Sequence, residues 1–383
     1  MLLDGSVYYR ALQTRDARFD GRIYVAVHTT GVYCRPICPA RCPRRENVTF
    51  YPSAAAAQEA GYRPCLRCRP ESSPDLAVWG GTSATVSRAL SLISEGALAD
   101  DEAGVGGLAE RLGIGDRHLR RLFQRHLGAT PVAVMSTWRV LFAKKLVHET
   151  DMRMAEVAMA AGFGSVRRFN AAFHRLFARA PSSLRRRRST AGPMTPHAPV
   201  TLSLAHALPY DWDAMVTFLE ARAIPGVEHV TPTRYARTFA VGAHHGVVEV
   251  SPGRRGALSA TIRFPDVTAL PAIVARLRRV FDLGADIDAI EAHLRRDPLL
   301  GPLIARRPGL RVPGAWDGFE LAIRAVLGQQ ITVAAARKLA GRLAARHGTP
   351  LAEELAGATG LSLLFPAPRE GAAGTPRRAV RGR

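Results

Sequence analysis

Cys34, Cys38, Cys65 and Cys68 stand in the first fifth of the chain as a C-x3-C pair and a C-x2-C pair, 26 residues apart, and no cysteine follows them. Two short knuckles, each offering a pair of thiolates, are what a closed tetrahedral zinc site requires. One Zn2+ ion in a four-cysteine shell is therefore the expected cofactor. The surroundings are basic: Tyr33-Cys34-Arg35-Pro36-Ile37-Cys38 and Arg63-Pro64-Cys65-Leu66-Arg67-Cys68-Arg69 interleave arginine with the sulfurs, so the site can approach a polyanion. Coordination to zinc keeps a thiolate deprotonated at neutral pH, and the thiolate is the nucleophilic form of cysteine. The alternative is an inert structural knuckle. A fifth thiol, Cys42 in Pro39-Ala40-Arg41-Cys42-Pro43, is either a free surface thiol or an alternative ligand and is left out of the shell.

These stretches, with Arg44-Arg45-Glu46-Asn47-Val48-Thr49-Phe50 between them, closely resemble the N-terminal domain of the Ada family over roughly residues 5–75. In that family a zinc-bound cysteine takes the methyl group of a DNA methylphosphotriester. Position by position, the resemblance makes Cys34 the methyl acceptor, completes the zinc shell with Cys38, Cys65 and Cys68, and places Arg35 and Arg41 to meet phosphate. A phosphodiester is a good leaving group, so in-line attack by a thiolate needs no general base, and without a recycling step each molecule reacts once. Methylation also takes a four-thiolate zinc centre from −2 to −1. One charge about 5 Å from a phosphate is worth roughly 0.8 kcal/mol in a water-like dielectric and about 3 kcal/mol at an effective value of 20. The methylated form is thus expected to bind DNA between a few-fold and about two hundred-fold more tightly.

A chain of 383 residues, 47% hydrophobic, suggests two to four domains with packed cores. It has no 18-residue apolar run, and Met1–Ser6 lacks the layout of a secretory signal, so no membrane association is expected. Thiols held for metal fit a reducing bacterial cytoplasm. The net charge of +21 is uneven: residues 1–70 hold +6, residues 71–104 hold −5, residues 105–188 hold +12, and the remainder +8. Basicity is concentrated where phosphate neutralisation is needed. Only three lysines occur, so arginine dominance reflects a GC-rich genome as much as function.

The basic middle reads as two helix-turn-helix units. Leu108–Leu112 is a first helix, Gly113-Ile114-Gly115 the turn, and Asp116 the N-cap of a second helix that buries Leu119, Leu122 and Phe123 and ends at Gly128. Arg117, His118, Arg121 and Gln124 are left outward. Forty-nine residues on, the layout returns: Ala155–Ala161, Gly162-Phe163-Gly164, then Ser165 as cap, with Val166, Phe169 and Phe173 inward and Arg167, Arg168, Asn170 and His174 outward. A long helix around Val134–Glu149 joins the units. Residues 105–185 resemble the AraC-type DNA-binding domain, which implies sequence-specific binding to successive major-groove segments. Double-stranded promoter DNA and RNA polymerase are the implied partners, and the protein would lie on the nucleoid.

Residues 189–199 read as a linker, and the segments at 239–242, 246–250 and 257–264 as short antiparallel strands. Stretches near 267–282 and 316–347 read as helical. Residues 200–366 resemble the AlkA-type 3-methyladenine DNA glycosylase, through Leu208-Pro209-Tyr210-Asp211-Trp212, Arg307-Pro308-Gly309-Leu310-Arg311-Val312-Pro313-Gly314 and Ala325-Val326-Leu327-Gly328-Gln329-Gln330-Ile331. The resemblance puts Gln330 at the minor groove as a wedge for a flipped base; a structural role at a helix terminus is the alternative. The family's helix-hairpin-helix and catalytic aspartate have no counterpart, the last aspartate being Asp317. The end of the chain therefore reads as truncated or frameshifted, the region is expected to expose apolar surface and fold poorly, and glycosylase activity is not expected. No cysteine beyond Cys68 serves a second alkyl transferase.

The expected architecture is multidomain α+β. A small zinc-binding α/β domain (1–75) is followed by a linker with one leading helix (76–104), an all-α double helix-turn-helix domain (105–188) and the linker 189–199. An antiparallel α+β glycosylase-like domain (200–312), the start of a helical domain (313–366) and a basic tail (367–383) complete it. The leading functional reading is methylphosphotriester repair coupled to transcriptional regulation. A base-excision glycosylase and a non-enzymatic zinc-containing transcription factor are the alternatives.

Overall fold

The β-branched and aromatic run Tyr24–Val27 (β1) turns back on Val32–Cys34 (β2) through Gly31, whose φ of 62° lies where a side chain is disfavoured. Val48–Tyr51 (β3) adds to the other edge of β1, also antiparallel, and the two-residue β4 (Arg63–Pro64) runs parallel to β2. The resulting order β3-β1-β2-β4 sets the first cysteine pair beside the second. Helix α1 (Gly5–Thr14) and the alanine-rich α2 (Ala54–Glu59) enclose this sheet. The computed structural model describes residues 5–73, 84–96, 104–185, 198–254, 256–356 and 360–368. Most of the interval expected as a linker at 189–199, and the tail from 369, lie outside the described residues.

The leading helix expected in the acidic interval is α3 (Ala84–Ser94). The first helix-turn-helix is α4 (Gly104–Leu112) and α5 (Asp116–Leu127), and the second is α7 (Met154–Ala160) and α8 (Val166–Phe177). Helix α6 (Pro131–Glu149) joins them, with Thr130 as its N-cap and Pro131 at its first position. Three details differ from expectation. Gly115 is the N-cap of α5, and Asp116 is its first helical residue, where its charge favours the helix through the macrodipole rather than through a capping bond. Val166, the first residue of α8, is 40% exposed because the first turn projects past the core. Leu122 is only half-buried.

The two units belong to different cores. Leu119, Phe123 and Leu127 of the first pack with Val86, Ala89 and Ile93 of α3 and with Ala55 and Ala56 of the zinc module. Gly128, in the left-handed conformation at φ 65°, ends α5 against that module; a Cβ there would meet Pro52 at 3.2 Å. Phe169, Phe173 and Phe177 of the second unit share a core with Leu202, Leu204, Val248 and Phe281 of the C-terminal module. Each such side chain contributes about 1.5–3 kcal/mol on burial. Helix α6 lines both cores.

That C-terminal module is a five-stranded antiparallel sheet of order β5-β9-β8-β7-β6, built from Val200–Ala205 (β5), Glu228–Thr231 (β6), Arg234–Val241 (β7), His244–Pro252 (β8) and Ala257–Arg263 (β9). Helices α9 (Trp212–Arg222), α10 (Leu270–Val280), α11 (Ile287–Leu294), α12 (Leu300–Arg306), α13 (Gly318–Leu327) and α14 (Val333–His347) complete it. The region expected to fold poorly has a packed core. The expected apolar exposure is nonetheless present: α13 turns Glu320 and Arg324 inward, onto Arg237 and Glu228, and leaves Phe319, Leu321 and Val326 exposed. Among the described residues no helix is long and apolar enough to cross a membrane.

Candidate metal centre and nucleic-acid interface

The two knuckles meet because β2 and β4 pair: the Cys65 amide donates to the Tyr33 carbonyl at 2.9 Å, next to Cys34. The sulfurs of Cys34, Cys38, Cys65 and Cys68 all lie within 4.8 Å of one another, and all four residues are buried and reduced. A tetrahedral zinc with Zn–S bonds of about 2.3 Å spaces its sulfurs about 3.8 Å apart, so the cage fits the ion. Its proton balance fits too. Hydrogen bonds with Cys38, Cys65 and Cys68, then burial, push the Cys34 thiol well above its ordinary range. Cys38 is pulled down to about 7, chiefly by its bond with Cys34. Four sulfurs so placed cannot all ionise without a cation, and a dication satisfies them. These residues form a Zn2+ site. Cys42 is exposed and outside the cage.

Exposure does not single out Cys34, since the four cysteines are 6–9% exposed. The Arg35 amide donates to Cys68 Sγ at 3.3 Å.

Arg35 is not placed to meet phosphate. Its guanidinium turns inward, donating from Nε to Asp20 Oδ1 at 2.8 Å and from Nη2 to Asp20 Oδ2, and from Nη1 to the Cys68 carbonyl at 3.3 Å. Asp20 is 4% exposed and also accepts from Ser73 Oγ at 3.1 Å. No motif in the sequence marked Asp20; its place before Gly21 in the turn into β1 is the sole local signal. Arg41 is exposed, as are Arg63 and Arg67 beside the second knuckle.

On α5, Arg117, His118, Arg121 and Gln124 are exposed, with Arg121 Nη2 2.9 Å from His118 Nδ1. On α8, Arg167, Arg168, Asn170 and His174 are exposed, and Ser165 accepts from the Arg168 amide as N-cap. Gln330 sits in the turn between α13 and α14, exposed, with a left-handed φ of 60°.

Three family models match in the order of these modules: the metal binding domain of Ada over residues 7–71, a helix-turn-helix domain over 108–187, and the AlkA N-terminal domain over 201–317. A Mycobacterium tuberculosis protein, the probable bifunctional transcriptional activator/DNA repair enzyme AlkA, is 41% identical over 349 residues, covering 90% of this chain and 69% of the relative. The chain belongs to that bifunctional activator/repair family. Within the family frame, the first two modules are 38% identical over 133 residues to the bifunctional transcriptional activator/DNA repair enzyme Ada of Escherichia coli, covering 34% of this chain and 35% of that one. The C-terminal part is 38% identical over 170 residues to DNA-3-methyladenine glycosylase 2 of Escherichia coli, covering 44% of this chain and 56% of that one.

Proposed function

We propose that this chain repairs DNA methylphosphotriesters and regulates transcription in response, with Cys34 as the methyl acceptor and the double helix-turn-helix as the reader of promoter DNA. The observation that carries the reading is the buried four-sulfur cage with the exposed Arg41, Arg63 and Arg67 beside its knuckles. Cys34 is assigned as acceptor from its place in the matched metal binding domain of Ada, and a zinc-held thiolate is the nucleophilic form of cysteine.

Zinc bound by the four sulfurs supplies the charge that keeps them ionised at neutral pH. The Cys34 sulfur attacks the methyl carbon in line; the S–C bond forms as the C–O bond to phosphorus breaks, and the electron pair leaves on the phosphodiester. No proton moves, so no general base is required. Cys38, Cys65 and Cys68 hold the acceptor in place, and the exposed Arg41, Arg63 and Arg67 steer the phosphate backbone toward it. The product thioether stays on the protein, so each chain reacts once and carries the record of damage. The centre loses one negative charge, which favours DNA binding by α5 and α8.

The test is incubation of the zinc-loaded chain with duplex DNA carrying a methylphosphotriester, followed by peptide mass mapping. One added methyl on the Cys34 peptide, stoichiometric and irreversible, is the expected result. No transfer from a chain with four-thiolate zinc would leave a structural zinc knuckle in a transcription factor.

A further inference from the structure

Two of the three lysines in this arginine-rich chain are adjacent, Lys144 and Lys145, and both are buried on α6. Lys144 Nζ meets Glu71 Oε2 at 2.7 Å, with the two side chains 0% and 1% exposed. Glu71 lies three residues beyond Cys68, and its other oxygen accepts from Arg69 Nε at 3.1 Å. Arg69 holds a left-handed φ of 53°, a strained conformation for a side-chain-bearing residue, and so aims the knuckle's exit at α6. Its Nη2 reaches Glu149 at the end of α6, 3.4 Å away. Glu149 also accepts from Lys145 Nζ at 3.2 Å and from the Ser203 amide of β5 at 2.9 Å. Lys144 Nζ lies 5.4 Å from the ring centre of Phe177, in α8.

The first knuckle is tied to the same helix by another route. Tyr33, fully buried and next to Cys34, accepts at its hydroxyl from Gln58 Nε2 at 2.9 Å, and Gln58 Oε1 accepts from Thr137 Oγ1 of α6 at 3.0 Å. Helix α6 thus grips both halves of the cage while it joins the two helix-turn-helix units.

We propose that Lys144 and Glu149 are positioning residues for the methyl acceptor: through Glu71 and Arg69 they fix the Cys65–Cys68 knuckle to α6, so that acceptor and recognition helices face DNA in one register. A compact ammonium suits this place, because a guanidinium would bring further donors into a site with only two carboxylates. The coupling rests on Cys34 being the acceptor, as proposed above; the clamp itself does not.

The test uses the full zinc-loaded chain and three variants: Lys144→Met, Lys144→Met combined with Glu71→Met, and Ser136→Ala on the exposed side of α6 as control. Zinc release to a chromogenic chelator, hydrogen exchange of peptides spanning residues 62–73, and single-turnover methyl transfer at saturating duplex are measured. Lys144→Met is expected to release zinc at least ten-fold faster, to raise exchange in those peptides and to slow transfer, because it leaves the buried Glu71 carboxylate with Arg69 alone. The double variant removes the stranded charge and is expected to release zinc within about three-fold of the parent. Parental zinc release by Lys144→Met overturns the proposal. So does a double variant as leaky as the single one, and this arm remains readable where the single variant fails to fold. A parent chain that shows the coupling to zinc yet transfers no methyl leaves the clamp standing and removes the acceptor reading.

Discussion

Arg35 follows the proposed nucleophile directly, yet its guanidinium is closed onto the buried carboxylate of Asp20 while its amide serves Cys68 Sγ. The pair holds the first knuckle against the second. Removing one partner of a buried pair costs about 3–5 kcal/mol, because the other charge is left without compensation. Asp20→Ala and Arg35→Ala are each expected to destabilise the chain by about 3 kcal/mol in denaturant unfolding, and the double variant by less than their sum. Arg35→Ala should leave the salt dependence of DNA binding unchanged; a shallower slope would return Arg35 to the DNA surface.

The cysteines divide by role. Cys34→Ser should abolish methyl transfer in the mass-mapping assay. Cys34→Ser, Cys38→Ser, Cys65→Ser and Cys68→Ser each remove one sulfur of the cage and should weaken zinc binding as well as abolish transfer. Cys42→Ser should do neither, since its thiol is exposed and outside the cage. Parent protein methylated before assay is expected to bind duplex DNA more tightly than unmethylated protein at matched salt; equal affinity would remove the charge switch.

The clamp gives a pH signature with a definite sign. Burial pushes the Glu71 carboxyl up, but the Lys144 charge and hydrogen bond outweigh it and hold the group below the usual carboxylate range. A carboxyl lowered on folding contributes stability that is present above the unfolded value of about 4.3 and disappears as pH falls through the folded value. In Lys144→Met the two Lys144 contributions are gone and only Arg69 and a backbone hydrogen bond still oppose burial, so the Glu71 carboxyl should rise. The stability gap between parent and variant is then expected to narrow as pH falls from 7 towards 5, measured by denaturant unfolding at each pH. A gap independent of pH would mean that Glu71 is not the group stranded.

Helix α13 wears its charges inward and its apolar residues outward. Exposed apolar patches drive association. Leu321→Gln with Val326→Gln should lower concentration-dependent light scattering while leaving the unfolding midpoint within about 0.5 kcal/mol of the parent. Loss of stability would mean that the face is packed in solution.

The parts of this molecule that could be read from sequence are those set by local spacing. Cysteine spacing specified the cage, because knuckle geometry is a short-range property. Apolar residues recurring at helical spacing specified α5 and α8, with Gly128 the end of the first and Ser165 the start of the second. Asp20, Glu71 and Lys144 were not legible as a set: each is an ordinary charged residue whose meaning arises from a partner 15 to 73 positions away. The inward turn of Arg35 was missed for the same reason. Arginine beside a thiolate reads as phosphate-facing until a distant carboxylate is seen to claim it.

The two recognition helices should read different base pairs. In helix-turn-helix proteins the N-terminal residues of the second helix reach base edges. Here those residues are Arg117 and His118 in α5 and Arg167 and Arg168 in α8, all exposed. A good bidentate contact is worth about 1–3 kcal/mol of discrimination against the wrong base. Arg117→Ala and Arg168→Ala should therefore each relax discrimination by roughly that amount, at separate positions of the selected site. The losses should add in the double variant, since the side chains lie on helices with separate cores. Binding-site selection with each variant, followed by titration against single-base changes, measures both effects. Relaxation at one common position would mean that a single helix reads sequence and the other only grips the backbone.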